Sequence, residues 1–294
     1  MNANLSEYIT KYKAMIENEF DRYLRNLNMH SRLKESMLYS LEAGGKRLRP
    51  ILMIASYEAY GQQIKKVLSA ATALEMIHTY SLVHDDLPAM DDDDYRRGKP
   101  TNHKMFDEAT AILAGDALLT FSFELIANDP LLTAEEKVSL IQMLASCSGP
   151  TGMVGGQILD MEAENRPISI EEMERIHALK TGELVRSAIL SGAMLGKATE
   201  EQLEHLTTFA YYLGLIFQVQ DDILDVTGDE EKLGKPVGSD EDNQKSTYPK
   251  LLGIKGAMKQ KEAYVEKAKE ALQKAGAANS VLMDLTDYFS NRDH

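Results

Sequence analysis

The sequence predicts an all-α protein, and three observations carry that prediction. Apolar residues recur at steps near 3.6, hydroxyl residues followed three positions later by a carboxylate or amide mark helix starts, and no segment shows strand alternation bounded by hairpin turns. Taken in order, Tyr8, Tyr12, Met15, Phe20, Tyr23 and Leu27 predict an amphipathic first helix. Gly44-Gly45 predicts a helix end, as do Gly149-Pro150, Gly196 and Gly228. Two helices apolar on most sides are predicted over 71 to 84 and 209 to 220. Capping boxes, in which a hydroxyl and an acid or amide satisfy free amides reciprocally, are predicted at Thr133 with Glu136, Ser169 with Glu172, and Thr199 with Gln202. The segment 228 to 249, rich in Gly, Asp, Glu and Lys, reads as a polar loop with the character of a lid. No low-complexity linker divides the chain, so the expectation is a single-domain bundle of roughly ten or more helices over 1-294.

Composition bounds the function. With 294 residues, 44% of them hydrophobic, the chain can bury a full core. The stretch Met1 to Asp21 is charged throughout and lacks a signal-peptide core, and no run of about 18 apolar residues suggests a span. The expectation is a cytoplasmic protein without stable membrane association. A single cysteine, Cys147, excludes an intramolecular disulfide and a cysteine-rich zinc site, and reads as a small packing residue. The formal charge of −14 argues against nucleic-acid binding but not against small polyanions. Two compact basic segments, Gly44-Gly45-Lys46-Arg47-Leu48-Arg49-Pro50 and Arg96-Arg97-Gly98-Lys99-Pro100, are Gly/Pro-bounded loops near helix ends that favour anion binding.

Two acidic clusters, Asp85-Asp86-Leu87-Pro88-Ala89-Met90-Asp91 and Asp221-Asp222-Ile223-Leu224-Asp225, each end one of the apolar helices. A carboxylate there must be protonated, paired or bound to a cation, and several together point to the cation. If the two helices face each other, both clusters sit at one mouth of a shared cavity. Asp221 and Asp225 lie roughly 40° apart around a helix and share a face. In the first cluster Pro88 disfavours helical geometry at Leu87, and a two-residue bulge would bring Asp91 beneath Asp85. Oxygen ligands without His or Cys suit Mg²⁺, which bridges carboxylates to substrate phosphates. Asp92, Asp93 and Asp94 point in different directions and are not counted as ligands. His78, on its apolar helix, reads by itself as a satisfied core histidine.

These motifs, together with Glu-Met-Ile-His (75 to 78), Gly-Gly-Gln-Ile-Leu-Asp (155 to 160), Lys180-Thr181 and Gln218, resemble the head-to-tail (E)-polyprenyl diphosphate synthases, most closely those of bacteria that make farnesyl diphosphate. The resemblance spans essentially the whole chain. It implies the isoprenoid synthase type I fold around a central cavity, a homodimer, and three Mg²⁺ ions. It makes Asp85 and Asp91 ligands of two ions and Asp221, with Asp225, the site of the third, with Asp86 and Asp222 supporting. It assigns Lys46, Arg49, His78 and Arg97 to the diphosphate of isopentenyl diphosphate, and Arg96, Lys180 and Lys235 to the allylic diphosphate. Lys180, Thr181, Gln218 and Arg96 form the catalytic set, and Gln157 and Asp160 support it. Lys245 stands where many relatives have glycine, and Arg292-Asp293-His294 reads either as a closing tail or as disordered.

The implied reaction ionises dimethylallyl or geranyl diphosphate, adds isopentenyl diphosphate to the cation and eliminates a proton, giving (2E,6E)-farnesyl diphosphate. Departing diphosphate needs fixed positive charge, while the carbocation needs a dry apolar cavity lined by dipoles without a nucleophile. Gly182, costly inside a helix, predicts a kink at Thr181-Gly182 that turns carbonyls inward, and Gln218 adds its amide oxygen. Tyr80, five residues before Asp85 and about 7.5 Å down the helix axis, is placed to stop the growing chain. The alternatives are a geranyl or geranylgeranyl diphosphate synthase of the same family, and, from a different class, a non-catalytic helical regulatory subunit.

Overall fold

The computed structural model describes residues 3–164, 166–227 and 246–292 and bears out the all-α expectation. The chain falls into two compact units, Asn2–Ile54 with Gln63–Gln142, and Ala55–Gln62 with Met143–His294.

The first unit begins with α1 (Ala3–Leu24), α2 (Ser31–Leu41) and the start of α3 (Leu48–Glu58), then a 3₁₀ turn at Ile64–Lys66 and α4 (Leu68–Asp85). Leu5, Tyr12, Ile16, Phe20 and Leu24 form the buried stripe of α1. The expected stripe is therefore rotated slightly: Tyr8, Met15 and Tyr23 sit on its partly buried flanks, and Leu27 lies past the helix end. Helix α4 contains neither Gly nor Pro and is buried around nearly its whole circumference, so it forms the centre of this unit. Arg47, in a left-handed conformation at φ 54°, reaches Glu75 of α4 at 3.0 Å and lies 5.3 Å from the Phe20 ring centroid. Both charges are buried, so loss of either partner would strand the other. Within the first basic segment, Arg47 is thus a structural residue.

After α4 the chain forms a minimal hairpin, β1 (Tyr95–Arg96) against β2 (Lys99–Pro100), with Arg97 and Gly98 at φ 54° and 73°. Positive φ at both central positions is the signature of a type I′ turn. The second basic segment, expected as a loop, is therefore a hairpin whose two-residue strands are too short to register as alternation. Helices α5 (Asn102–Met105), α6 (Glu108–Asn128) and most of α7 (Ala134–Ser148) complete the unit. Helix α6 packs along α4, and Gly115 permits it, since a Cβ there would strike the His84 ring. By length and composition α6 is apolar enough to cross a membrane, with 39% of its most apolar window buried. Asp116 and Glu124 interrupt its sequence, which is why a search for an unbroken apolar run misses it.

The second unit holds α8 (Met153–Ala163), α9 (Ile170–His177), one π-helical turn at Ala178–Gly182, α10 (Glu183–Leu195), α11 (Glu200–Thr227), α12 (Tyr248–Lys274) and α13 (Val281–Asn291). Two glycines set its closest approaches. A Cβ on Gly156 would lie 2.7 Å from the Lys180 Cα, and one on Gly214 would lie 2.9 Å from the Gly182 Cα. Helices α8 and α11 thus both press on the backbone of the π turn. Helix α12 starts at Tyr248, inside the segment expected as loop; Gly228, Lys235, Lys245 and the rest of that segment through residue 245 lie outside the described residues.

The capping signals hold with one change. Thr133 with Glu136 and Thr199 with Gln202 exchange both hydrogen bonds at 2.8 to 3.3 Å. At Ser169 only the hydroxyl half forms, because the Glu172 carboxylate pairs with Arg166 at 2.5 Å instead. At the end of α10 the left-handed residue is Lys197, φ 72°, rather than Gly196. Gly196 is needed for space, since a Cβ there would sit 2.9 Å from the Tyr57 carbonyl oxygen.

Candidate active site

The end of α4 carries the first cluster. The helix stops at Asp85, Leu87 and Met90 close tight turns, and the Asp91 amide donates to the Asp85 carbonyl oxygen at 2.9 Å. Asp92 follows at φ 51° and donates its amide to the Leu87 carbonyl. This is the expected bulge: Pro88 cannot continue the helix, and the extra residues loop out before Asp91 returns to the level of Asp85. Asp86 points the other way. It is 3% exposed and accepts from Arg96 Nε at 2.5 Å, and burial pushes its carboxyl above the ordinary carboxylate range against the pull of that arginine. Of the following aspartates, Asp93 approaches Arg96 at 3.4 Å and Asp94 pairs with Lys104 at 2.6 Å. Both are engaged in local ion pairs.

The predicted anion-binding residues gather beside it. Arg49 Nη1 lies 3.1 Å from His78 Nε2. Arginine has no acceptor, so His78 must accept through Nε2 and carry its proton on Nδ1. Burial first, then the charges of Arg49, Arg97, Arg96 and Arg47, hold His78 well below the ordinary imidazole pKa. An imidazole kept neutral by surrounding guanidinium groups marks a region of positive potential. Arg97 donates to the Gly44 carbonyl at 2.5 Å, and its guanidinium carbon would be 2.6 Å from a Cβ on Gly45. Gly44 and Gly45, at φ 95° and 110° in the loop after α2, seat Arg97. Lys46 stands half-buried in the same loop. Tyr80 is buried at 6% exposure, its ring edge-on to His84 at 5.7 Å.

In the second unit, Asp160, Lys180, Thr181, Gln218 and Asp222 line a cavity of about 130 Å³. Lys180 pairs with Asp160 at 2.6 Å, which gives the Gly-Gly-Gln-Ile-Leu-Asp motif its role: Gly156 brings α8 close and Asp160 then orients Lys180. The π turn replaces the expected kink, and it leaves carbonyl groups off the regular ladder in the same way. Thr181 Oγ1 donates to Gln218 Oε1 at 3.4 Å, and Gln218 Nε2 donates to Asp222 Oδ1 at 3.1 Å. Asp222 also accepts the Tyr248 amide at 3.0 Å. This fixes which end of the Gln218 amide is oxygen. Asp221 and Asp225 share a helical face but differ in access: Asp225 is 2% exposed, whereas Asp221 is open and paired with Arg292 at 2.5 Å.

Both clusters thus divide alike. The second aspartate of each Asp-Asp pair is buried and hydrogen-bonded, while Asp85 and Asp221 stand on the more open side. Among the described residues no three His, Cys, Asp or Glu side chains converge as a preformed metal cage. That donor set fits Mg²⁺, which is typically held by one or two carboxylates with waters and substrate phosphates filling the shell. Two participants escaped sequence reasoning. The sequence leaves Arg292 open between a closing tail and disorder, and the Tyr248 amide carries no side-chain signal at all. Cys147 is fully buried, in keeping with a packing residue, and burial pushes its thiol up to about 12.

The polyprenyl synthetase family model matches residues 30–287. Among curated relatives, a farnesyl diphosphate synthase of Bacillus subtilis is 50% identical with all of both chains covered. A geranylgeranyl diphosphate synthase of Cyanophora paradoxa is 44% identical over 100% of this chain and 98% of its own. Among solved structures, a geranylgeranyl pyrophosphate synthetase of Pyrococcus horikoshii superposes with a TM-score of 0.88 at 31% identity, covering 98% of each chain.

Proposed function

Because the chain belongs to the polyprenyl synthetase family, we propose that it is a prenyl transferase making farnesyl diphosphate from isopentenyl diphosphate and dimethylallyl or geranyl diphosphate. The observation that carries the proposal is the turn that returns Asp91 to Asp85 beside Arg96, Arg97, Arg49 and His78, since it pairs carboxylates for a cation with cations for a diphosphate. The reading treats 1-294 as one polyprenyl synthase domain, cytoplasmic and acting as a homodimer.

Asp85 and Asp91, and Asp221 with Asp225, are the residues that would hold three Mg²⁺ ions. When bound, those ions supply positive charge to the departing diphosphate. Arg96 and Lys180, with Lys235, hold the allylic diphosphate; Asp86 and Asp160 set the directions of the first two. Lys46, Arg49, Arg97 and the Nδ1–H of neutral His78 hold the diphosphate of isopentenyl diphosphate. The cation left at carbon 1 lies among the π-turn carbonyls, Thr181 Oγ1 and the Gln218 amide oxygen, which stabilise charge without attacking it. The isopentenyl double bond attacks carbon 1, and the released diphosphate accepts the proton lost from carbon 2. Tyr80 bounds the space for the chain.

The deciding experiment incubates the purified chain with Mg²⁺, isopentenyl diphosphate and geranyl diphosphate, then measures the chain length of the dephosphorylated product. A fifteen-carbon alcohol is expected. Absence of turnover would instead favour the regulatory-subunit reading.

A further inference from the structure

The open carboxylate of the second cluster already has a cation from the chain's own end. Arg292, the residue after α13, places Nη2 2.5 Å from Asp221 Oδ1 and 3.1 Å from the Phe217 carbonyl oxygen. Its guanidinium stacks 4.1 Å from the Phe217 ring centroid. The Arg292 carbonyl accepts from Gln220 Nε2 at 2.7 Å, and Lys261 Nζ donates to Gln220 Oε1 and to the Ser290 carbonyl at 2.7 Å each. Side chain and backbone are therefore both seated on the turn of α11 that precedes and includes Asp221. The seat is asymmetric: the Arg292 side chain is 6% exposed and that of Asp221 is 41% exposed. The cation lies behind the carboxylate, and the carboxylate faces solvent. Arg292 Nε is buried with no hydrogen-bond partner among the described residues, so the guanidinium has donor capacity that the C-terminal clamp does not use.

We propose that Arg292 is a further binding residue for the reaction: it holds Asp221 while diphosphate is absent and makes capture of a divalent ion at Asp221 conditional on the diphosphate. This rests on the function proposed above. A guanidinium within hydrogen-bonding distance of a carboxylate opposes a second cation approaching the same group. A diphosphate supplies negative charge enough for both, and its oxygens suit the planar fork of arginine. Ion and diphosphate then bind more tightly together than either does alone, and the coupling is reciprocal. Burial of the guanidinium beside Phe217 keeps it in place for that exchange and limits screening by solvent.

Titration of the wild type, Arg292→Gln and Arg292→Lys with Mn²⁺, with and without inorganic pyrophosphate, and counting of bound ions by electron paramagnetic resonance, tests the inference. The wild type should fill the Asp221 site only when pyrophosphate is present. Arg292→Gln should bind Mn²⁺ alone about tenfold more tightly at one site, a gain abolished by adding Asp221→Asn and absent from Arg292→Lys, which keeps the positive charge beside Asp221. Equal affinity for Mn²⁺ alone in wild type and folded Arg292→Gln would overturn the proposal. A measurement on the wild type needs no variant: the ¹⁵Nε resonance of Arg292 should move when Mg²⁺ and pyrophosphate are added together and stay with Mg²⁺ alone. Movement with Mg²⁺ alone would sink the idea equally. If the wild type condenses isopentenyl diphosphate but these titrations coincide, this inference alone fails. If it neither condenses substrate nor retains pyrophosphate with Mn²⁺, the functional reading has failed first.

Discussion

At Tyr80 the ring sits one turn before His84 and five residues before Asp85, buried on the α4 face that meets α6. Removing the ring should open room below the acidic cluster. Tyr80→Ala is expected to shift the main product from fifteen carbons toward twenty or more, read by chromatography of the dephosphorylated chains; an unchanged product would exclude Tyr80 as the floor. His78 gives a second residue-scale prediction. Its folded pKa lies well below the ordinary 6.5, so above about 6.5 it is neutral in both states and its contribution to stability is complete. As pH falls below 6.5 the unfolded chain takes up a proton that the folded chain refuses, and stability drops by up to about 1.4 kcal/mol per pH unit until the folded pKa is reached. Urea unfolding at pH 7.5 and 5.5 should show a larger loss for the wild type than for His78→Gln. Individual roles divide along the same line of access and burial. That Asp86 is buried and paired with Arg96 is a tertiary outcome, since adjacency to Asp85 in the chain names no partner.

Among the elements, the π turn between α9 and α10 carries the most chemistry for its length. Gly182 announced an irregularity there, but a single glycine does not distinguish a kink from an inserted residue. That outcome follows from packing, because Gly156 and Gly214 let α8 and α11 reach the turn's backbone at 2.7 and 2.9 Å. Gly156→Ala should force that backbone aside. The expected cost is about 1–3 kcal/mol in thermal or urea unfolding, with a loss of turnover well beyond it because Lys180 and Thr181 shift. Equal activity per folded molecule would show the turn tolerates displacement. The hairpin β1–β2 shows a similar limit: Gly98 was visible as a turn residue, but Arg97 at positive φ becomes stable only because Gly44 and Gly45 receive its guanidinium.

For the whole molecule, α6 poses a question of partnership. It is 21 residues long and apolar, yet Leu113 is 59% exposed and Ile112 42% exposed. The acidic Glu108, Asp116 and Glu124 on the same helix speak against lipid, and a second copy of this chain is the proposed cover. Leu113→Glu should convert a dimer to monomers in sedimentation velocity; a wild-type monomer would refute the assignment. Read by itself, the sequence determined the helical class, the capped starts of α7, α9 and α11, the family, and which residues belong to each acidic and basic cluster. Those are properties of local periodicity, capping and motif spacing, all encoded within a few turns. Tertiary structure alone decided that Arg47 is bound into the core by Glu75, that the Tyr248 amide donates to Asp222, that Asp160 orients Lys180, and that Arg292 returns to Asp221. Each of these pairs joins a charge or amide to a partner on another helix or turn of the fold. Burial makes the pairing obligatory, but spacing along the chain does not choose the partner.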